Sequence, residues 1–141
     1  MTDAIAETQA AVAPHGADYA EIAAVLGEYF DGLYHSDTTR LRRVFHPRAV
    51  YATAAGDAPL ILDLDGWMEV VRNRTAPASR NDARTDRIVS IDFAGPTTAV
   101  AKVRCSIRPR HFVDLLTFIR VDGRWQVIAK AFHFDVEPGA A

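Results

Sequence analysis

The second half of the chain changes its apolar period from helical to strand-like, and this change constrains the fold more than any other feature. From Ile88 onward the period is strand-like, and two turn signals, Ala94-Gly95-Pro96 and Asp122-Gly123, divide the stretch. The pattern predicts a meander of about four antiparallel strands. Asp-Gly is the sharper signal, because a two-residue type I′ turn needs positive φ at both central positions.

This turn also predicts the register of the last hairpin, with Val121 opposite Arg124. Continued along both strands, the register places Asp114 on one face together with His133. It places Lys130 on the opposite face, which it shares with Thr117, Ile128 and Phe132. Both faces are mainly apolar, which is unusual for an antiparallel sheet with one face in water. We therefore expect the helices to cover one face and a second copy of the chain to cover the other, as a homodimer through the outer sheet face.

The first half of the chain predicts three helices and a strand pair. Apolar residues recur at helical spacing from about 19 to 35, after Asp18 in the N-cap position. Asp37 is placed to cap a short second helix. Asp65 is placed to cap a third helix, which follows two short strands and carries Trp67 on its apolar face. The predicted segments are a flexible leader (1–17), a single domain (18–135) and a flexible tail (136–141).

The charge balance and the single cysteine exclude several classes of protein. The 141 residues carry 16 basic and 18 acidic side chains, so no basic excess indicates a nucleic-acid or anionic-membrane partner. Cys105 cannot form an intrachain disulfide, which fits a reducing compartment, and we expect a cytoplasmic protein. The 5 histidines show no pairing typical of a metal site, and no nucleophilic triad or glycine-rich phosphate loop is visible. The sequence thus predicts no metal and no cofactor.

The order of these elements, together with several residue runs, resembles the NTF2-like superfamily. The runs are Tyr29-Phe30-Asp31-Gly32-Leu33-Tyr34, Phe45-His46-Pro47-Arg48-Ala49-Val50-Tyr51, Asp114-Leu115-Leu116-Thr117-Phe118-Ile119 and Asp122-Gly123-Arg124-Trp125. The match covers about residues 18–134 and is closest to the branch described as putative lumazine-binding, within the ketosteroid isomerase and SnoaL-like fold. The resemblance implies an α+β cone, in which three N-terminal helices pack on a curved, mainly antiparallel sheet. It further implies a pocket at the open end and frequent dimerisation across the outer sheet face.

The resemblance also indicates where the steroid isomerases of the superfamily carry their catalytic groups. Tyr29 matches the tyrosine whose phenol stabilises a developing oxyanion. Thr53 and Thr117 stand at the positions of the general-base aspartate and of the acidic hydrogen-bond donor. Threonine does not accept a proton near neutral pH, so steroid isomerisation by that mechanism is disfavoured. Tyr29 also fits a core role with its hydroxyl at the rim, as buried tyrosines commonly do.

The last hairpin supplies further candidates. Asp114 beside His133 can orient a general base, or can serve a structural role at a dimer interface. Lys130, among apolar neighbours, can bind an anion, act as an acid or form an imine, or can extend its head group to water or to an acid. The candidate catalytic residues are Tyr29, Lys130, Asp114 and His133. The candidate ligand-binding residues are Tyr29, Trp67, Thr117, Ile128, Lys130 and Phe132.

These candidates leave three functions open. The leading hypothesis is a protein that binds a small hydrophobic or heteroaromatic molecule in an apolar pocket. The first alternative is a cofactor-independent acid/base enzyme, namely an isomerase, dehydratase or cyclase. The second is a dimeric protein-interaction module, which a filled cone with a broad apolar exterior would favour.

Overall fold

The structure, a computed structural model, describes residues 15–140. Its elements in chain order are α1 (Gly16–His35), α2 (Thr38–Val44), β1 (Phe45–Thr53), β2 (Leu60–Asp63), α3 (Leu64–Asn73), a 3-10 turn (Pro77–Arg80), β3 (Arg87–Phe93), β4 (Thr98–Ile107), β5 (Arg110–Val121) and β6 (Arg124–Val136). Most of the predicted leader (1–14) and residue 141 of the predicted tail lie outside the described residues. The three helices and the four-stranded meander are confirmed.

Two aspartates cap helices as their spacing requires, although one of them is not the predicted residue. Asp37 accepts a hydrogen bond from the backbone N–H of Arg40 at 3.0 Å, so the predicted cap of α2 is confirmed. The cap of α3 is Asp63, which accepts from Gly66 N–H at 2.8 Å. The prediction of Asp65 is wrong because β2 ends earlier than expected, which moves the helix start forward and leaves Asp65 in the first turn.

The start of α1 also differs from the prediction. The helix begins at Gly16, and Asp18 lies in its first turn rather than at its N-cap. The Asp18 carboxylate instead accepts a hydrogen bond from the indole Nε1 of Trp125 at 3.1 Å. Asp18 therefore ties α1 to β6 in place of capping the helix.

One curved sheet carries all six strands, in the order β2-β1-β6-β5-β4-β3. The pair β1 and β6 is parallel, and the other neighbours are antiparallel. The helices pack on one face, where Leu26, Trp67 and Phe118 are among the fully buried core side chains. The predicted α+β class, with three helices on a mainly antiparallel sheet, is confirmed.

A β-bulge in the last hairpin changes which residues share a face. The predicted register holds from the turn to the pair Phe118 and Val127, and then shifts so that Thr117 pairs with Ala129. Ile128 is the extra residue on β6, and a one-residue slip moves every later side chain to the other face of the strand.

The slip corrects two predictions. Asp114 does not share a face with His133, because Asp114 is fully buried whereas His133 lies exposed on the outer face. Lys130 does not share a face with Thr117, because Lys130 pairs with Leu116 on the inner face. The bulge thus brings Asp114 and Lys130 onto the same inner face.

None of the helices found between residues 15 and 140 combines the length and the apolar character that crossing a membrane requires. The cytoplasmic location expected from the sequence stays a prediction.

Candidate functional site

A buried carboxyl group forms the centre of the candidate site. Asp114 lies on β5 with no exposed surface. Tyr29 of α1 donates its hydroxyl to Asp114 Oδ2 at 2.5 Å, and the thiol of Cys105 on β4 donates to the same oxygen at 3.7 Å. The Nζ atom of Lys130 lies 3.8 Å from Oδ2. One carboxylate oxygen is therefore the meeting point of a phenol, a thiol and an ammonium group.

Periodicity within each element explains why these side chains converge. Tyr29 follows Ile22 and Leu26 at helical spacing, so all three point into the core. Cys105 belongs to the alternate residues of β4 that are buried. On the inner face Asp114 pairs with Phe132 and Leu116 pairs with Lys130, and Lys130 reaches this face only because Ile128 is bulged out.

Aromatic rings surround the Lys130 head group. Its Nζ atom lies 4.5 Å from the ring centre of Trp67, 5.1 Å from that of Phe132, 5.2 Å from that of Tyr29 and 5.4 Å from that of Tyr51. Such contacts stabilise a cation through the negative faces of the rings. We call these four rings the aromatic cage. Lys130 is only 5% exposed, so its head group is paired with an acid inside the fold rather than extended to water.

Burial sets the protonation chemistry of the site. It raises the pKa of Tyr29, and the neighbouring Asp114 raises it further. Burial also raises the pKa of Tyr51 to about 12. It lowers the pKa of Lys130, an effect that Asp114 opposes. At neutral pH Tyr29 therefore keeps its proton and acts as a donor, and Lys130 loses its proton more readily than an exposed lysine does.

Several polar atoms beside this centre are buried and have no hydrogen-bond partner. They are Asp114 Oδ1, Trp67 Nε1 and the Nε and Nη2 atoms of Arg74, the C-cap residue directly after α3. The positive charge of Arg74 lowers the pKa of both Tyr29 and Tyr51, which places its guanidinium within electrostatic reach of the centre. Buried polar groups in folded proteins are nearly always hydrogen-bonded. The one acceptor atom and three donor atoms named above have no such partner, and this needs an explanation.

The structure brings together five of the predicted site residues: Tyr29, Trp67, Asp114, Lys130 and Phe132. It does not bring the other three to the centre. His133 is exposed and its Nε2 contacts Asp135 at 3.0 Å, Thr117 is on the outer face, and Ile128 is the bulge residue.

Three residues near the centre were missed as site candidates: Tyr51, Arg74 and Cys105. Arg74 continues the spacing of Trp67 and Val71 on the buried face of α3, which is a signal that the sequence does contain. A basic residue at the end of an apolar helix face points into the fold rather than into the loop that follows.

Four cavities of about 230 to 370 Å³ open on the surface, one lined by Cys105 and two by Phe132 among other residues. Asp114, Tyr29 and Lys130 line none of these four. The space next to Lys130 is occupied by the aromatic cage, so access to it depends on movement of these rings.

A serine, a histidine and a glutamate form a chain at the ends of β4, β5 and β6, which sequence reasoning did not anticipate. Ser106 Oγ lies 2.8 Å from His111 Nδ1, and His111 Nε2 lies 2.9 Å from Glu137 Oε1. Hydrogen bonds from Arg108 and His111 lower the pKa of Glu137 to about 2. This hydrogen-bonded series of Ser106, His111 and Glu137 is exposed to solvent. It therefore lacks the desolvation that activates a buried nucleophile, and its role is to link the ends of the three strands.

Within residues 15–140 no group of three or more His, Cys, Asp or Glu side chains is arranged to hold a metal ion. The candidate site itself presents a phenol, a carboxyl, an amine, a thiol and a guanidinium group.

Comparison with known proteins identifies the family. An NTF2-like protein of unknown function from Shewanella baltica is 26% identical, with a TM-score of 0.77 over 86% of this chain and 96% of that one. An NTF2-like protein from Methylobacillus flagellatus is 24% identical, with a TM-score of 0.73 over 84% and 93% of the two chains. The aldolase FrzH of a Cladobotryum species is 38% identical over 40 residues, which span 27% of this chain and 32% of that protein. The family model described as "Putative lumazine-binding" matches residues 17–133, and the chain belongs to this family of the NTF2-like superfamily.

Proposed function

We propose that the protein binds a small planar molecule inside the cone, at the Asp114 centre. The observation that carries this proposal is the set of unpaired buried groups, with Asp114 Oδ1 as acceptor and Arg74 and Trp67 as donors. Leaving a buried donor or acceptor unpaired costs about 1 to 3 kcal/mol, and more for a charged group. A ligand that pairs them recovers this cost as binding free energy.

The unpaired groups specify the chemistry of the ligand. An N–H group would donate to Asp114 Oδ1, and an adjacent carbonyl oxygen would accept from Arg74 or Trp67. A flat ring would stack against the aromatic cage. Lumazine, which the family description names, is a fused heteroaromatic ring with N–H and C=O groups on one edge. The aldolase name of the Cladobotryum relative adds carbonyl compounds to the classes worth testing.

Entry of such a ligand requires rings of the cage to move. Tyr51 and Phe132 are 8% and 9% exposed, whereas Tyr29 and Trp67 are almost fully buried. We therefore expect the ligand to enter on the side of Tyr51 and Phe132, displacing the two rings that have the fewest buried contacts to lose.

Titration with lumazine, followed by its fluorescence, tests this function. Arg74→Met is expected to weaken binding about tenfold or more, because it removes a charged donor while keeping a side chain of similar length. Arg72→Met is the matched control, since Arg72 is half exposed and contacts only Glu69 among the acids. Equal dissociation constants for the two variants, or no binding to the unaltered chain, would contradict the proposal.

We also propose that the outer sheet face pairs with a second copy of the chain. Leu115 is 48% exposed and Val100 is 37% exposed on the central strands of this face. A shallow cavity of about 370 Å³ lies beside them, lined by Lys102, Val113, Leu115, Ala131, Phe132 and His133. A patch of this kind on a soluble domain is typical of an interface.

Leu115→Glu is expected to convert a dimer into a monomer in sedimentation velocity at micromolar concentration, because it places a charge in the centre of the apolar patch. Val70→Glu is the control, since Val70 is 39% exposed on the helical side of the molecule. A monomeric unaltered protein, or a dimer that survives Leu115→Glu, would show that this face is not the interface.

A further inference from the structure

We propose that Lys130 is a nucleophile that forms an imine with an aldehyde or ketone ligand. The inference rests on the proposed function and narrows its ligand class to carbonyl compounds. It places a covalent step at the Asp114 centre, beyond reversible binding.

The choice of lysine at this position is the first observation that carries the inference. Of the 16 basic side chains only two are lysines, Lys102 and Lys130, and the other positions are arginines. Lys102 lies exposed on β4, whereas Lys130 is buried. Arginine is better suited than lysine to buried ion pairs and to stacking on aromatic rings. The buried position beside Asp114 therefore carries the basic side chain whose amine can form a carbon–nitrogen double bond, where arginine would serve an ion pair better.

The reaction balances with groups that surround Lys130. The neutral Nζ attacks the carbonyl carbon, a C–N bond forms, and the carbonyl oxygen takes up a proton to give a carbinolamine. Loss of water, which carries away the former carbonyl oxygen and the two hydrogens of the amine, leaves the imine. The Tyr29 hydroxyl and the Asp114 carboxyl, in contact with each other at 2.5 Å, are placed to pass these protons.

The site suits the product as well as the amine. A protonated imine carries the same positive charge as the ammonium group, so Asp114 at 3.8 Å and the aromatic cage stabilise both. Burial makes the neutral amine more accessible by lowering the pKa of Lys130. The cage also excludes water, which slows hydrolysis of the imine once it has formed.

Reductive trapping of the full chain tests the inference. The protein is incubated with benzaldehyde and sodium cyanoborohydride near pH 7.5, and peptide mass spectrometry measures benzylation at each lysine. Lys130 is expected to be labelled faster than Lys102, because burial lowers the pKa of Lys130 and so raises its neutral fraction, and because the Tyr29 hydroxyl beside it can donate a proton to the carbonyl oxygen. Lys102 is a reference in the same molecule, and because it lines the outer-face cavity proposed as the dimer contact, its rate is also read in Leu115→Glu, in which that face is expected to be free.

Two further measurements sharpen the outcome. In urea both lysines are expected to react at similar rates, which shows that the Lys130 peptide is detectable. Lys130→Arg is expected to abolish the fast labelling and Lys102→Arg to leave it unchanged. Labelling confined to Lys102 and the terminal amine of the folded protein would overturn the inference. Lumazine binding is measured without aldehyde or reductant, so it separates this failure from a failure of the proposed function.

Discussion

Asp114→Asn is expected to lower the free energy of unfolding by about 3 kcal/mol or more at pH 7. The amide keeps the shape of the side chain and can still accept the Tyr29 hydroxyl, so the change removes the negative charge and little else. Lys130, 3.8 Å away and 5% exposed, then has no acid beside it. A buried ammonium group without a counter-ion must lose its proton or remain desolvated, and both cost folding free energy. Urea denaturation followed by tryptophan fluorescence measures the change.

A double-mutant cycle separates this charge effect from general disruption of the core. Lys130→Met alone leaves the buried Asp114 carboxylate without a cation beside it. The double variant, Asp114→Asn with Lys130→Met, removes both charges of the pair, so neither is left unpaired. The double variant is therefore expected to lose about 2 kcal/mol less than the sum of the single losses. Asp65→Asn is the matched control, since Asp65 pairs with Arg42 at 2.9 Å on the surface and should cost less than about 1 kcal/mol. Additive single losses would show that Asp114 and Lys130 do not interact.

Local patterns predicted the elements of this fold because their causes are local. The helical spacing before His35 and the capping position of Asp37 depend on neighbours within a few residues. The Asp122-Gly123 turn likewise has positive φ at both residues, as its two-residue loop requires. The cap at Asp65 was misassigned because Asp63 and Asp65 both lie near the start of α3, and the choice between them depends on where β2 ends. The cap at Asp18 was misassigned because α1 begins two residues before it, after His15, whose side chain makes no capping hydrogen bond.

The bulge at Ile128 was not predicted because nothing in its immediate sequence marks it. No glycine or proline interrupts the run from Trp125 to Phe132. The sequence did contain one indication of the bulge. Without it, the register places Asp114 on one apolar face and Lys130 on the other, each without an opposite charge. A shift of one residue pairs the two charges on one face, and buried charges are rarely tolerated without a partner. Electrostatic pairing across strands therefore predicts a register that hydrophobic alternation alone does not.

The unaltered chain is expected to be more stable than Cys105→Ala at neutral pH and less stable than it at alkaline pH. Burial raises the pKa of the Cys105 thiol, and the Asp114 charge raises it further. In the unfolded chain the thiol ionises near its ordinary pKa of about 8.5. Above this pH the unfolded state has lost a proton that the folded state keeps, so folding stability falls by about 1.4 kcal/mol per pH unit. Between pH 7 and 10.5 the unaltered chain loses about 3 kcal/mol through this one group.

The comparison with Cys105→Ala isolates that loss from other titrations. Tyr29 and Tyr51 also have raised pKa values, so they destabilise the fold above their ordinary pKa of about 10. Lys130 acts in the opposite direction, because its lowered pKa makes the folded state gain stability as pH rises toward about 10.4. These groups are present in both proteins, so the difference keeps only the Cys105 titration and the part of the Tyr29 and Lys130 shifts that Cys105 itself causes. At pH 7 the variant is expected to be less stable by about 1 to 2 kcal/mol, through the small cavity it creates, and at pH 10.5 to be the more stable of the two. Urea denaturation at both pH values measures the reversal, and a constant difference would mean that the thiol ionises as readily in the fold as in the unfolded chain.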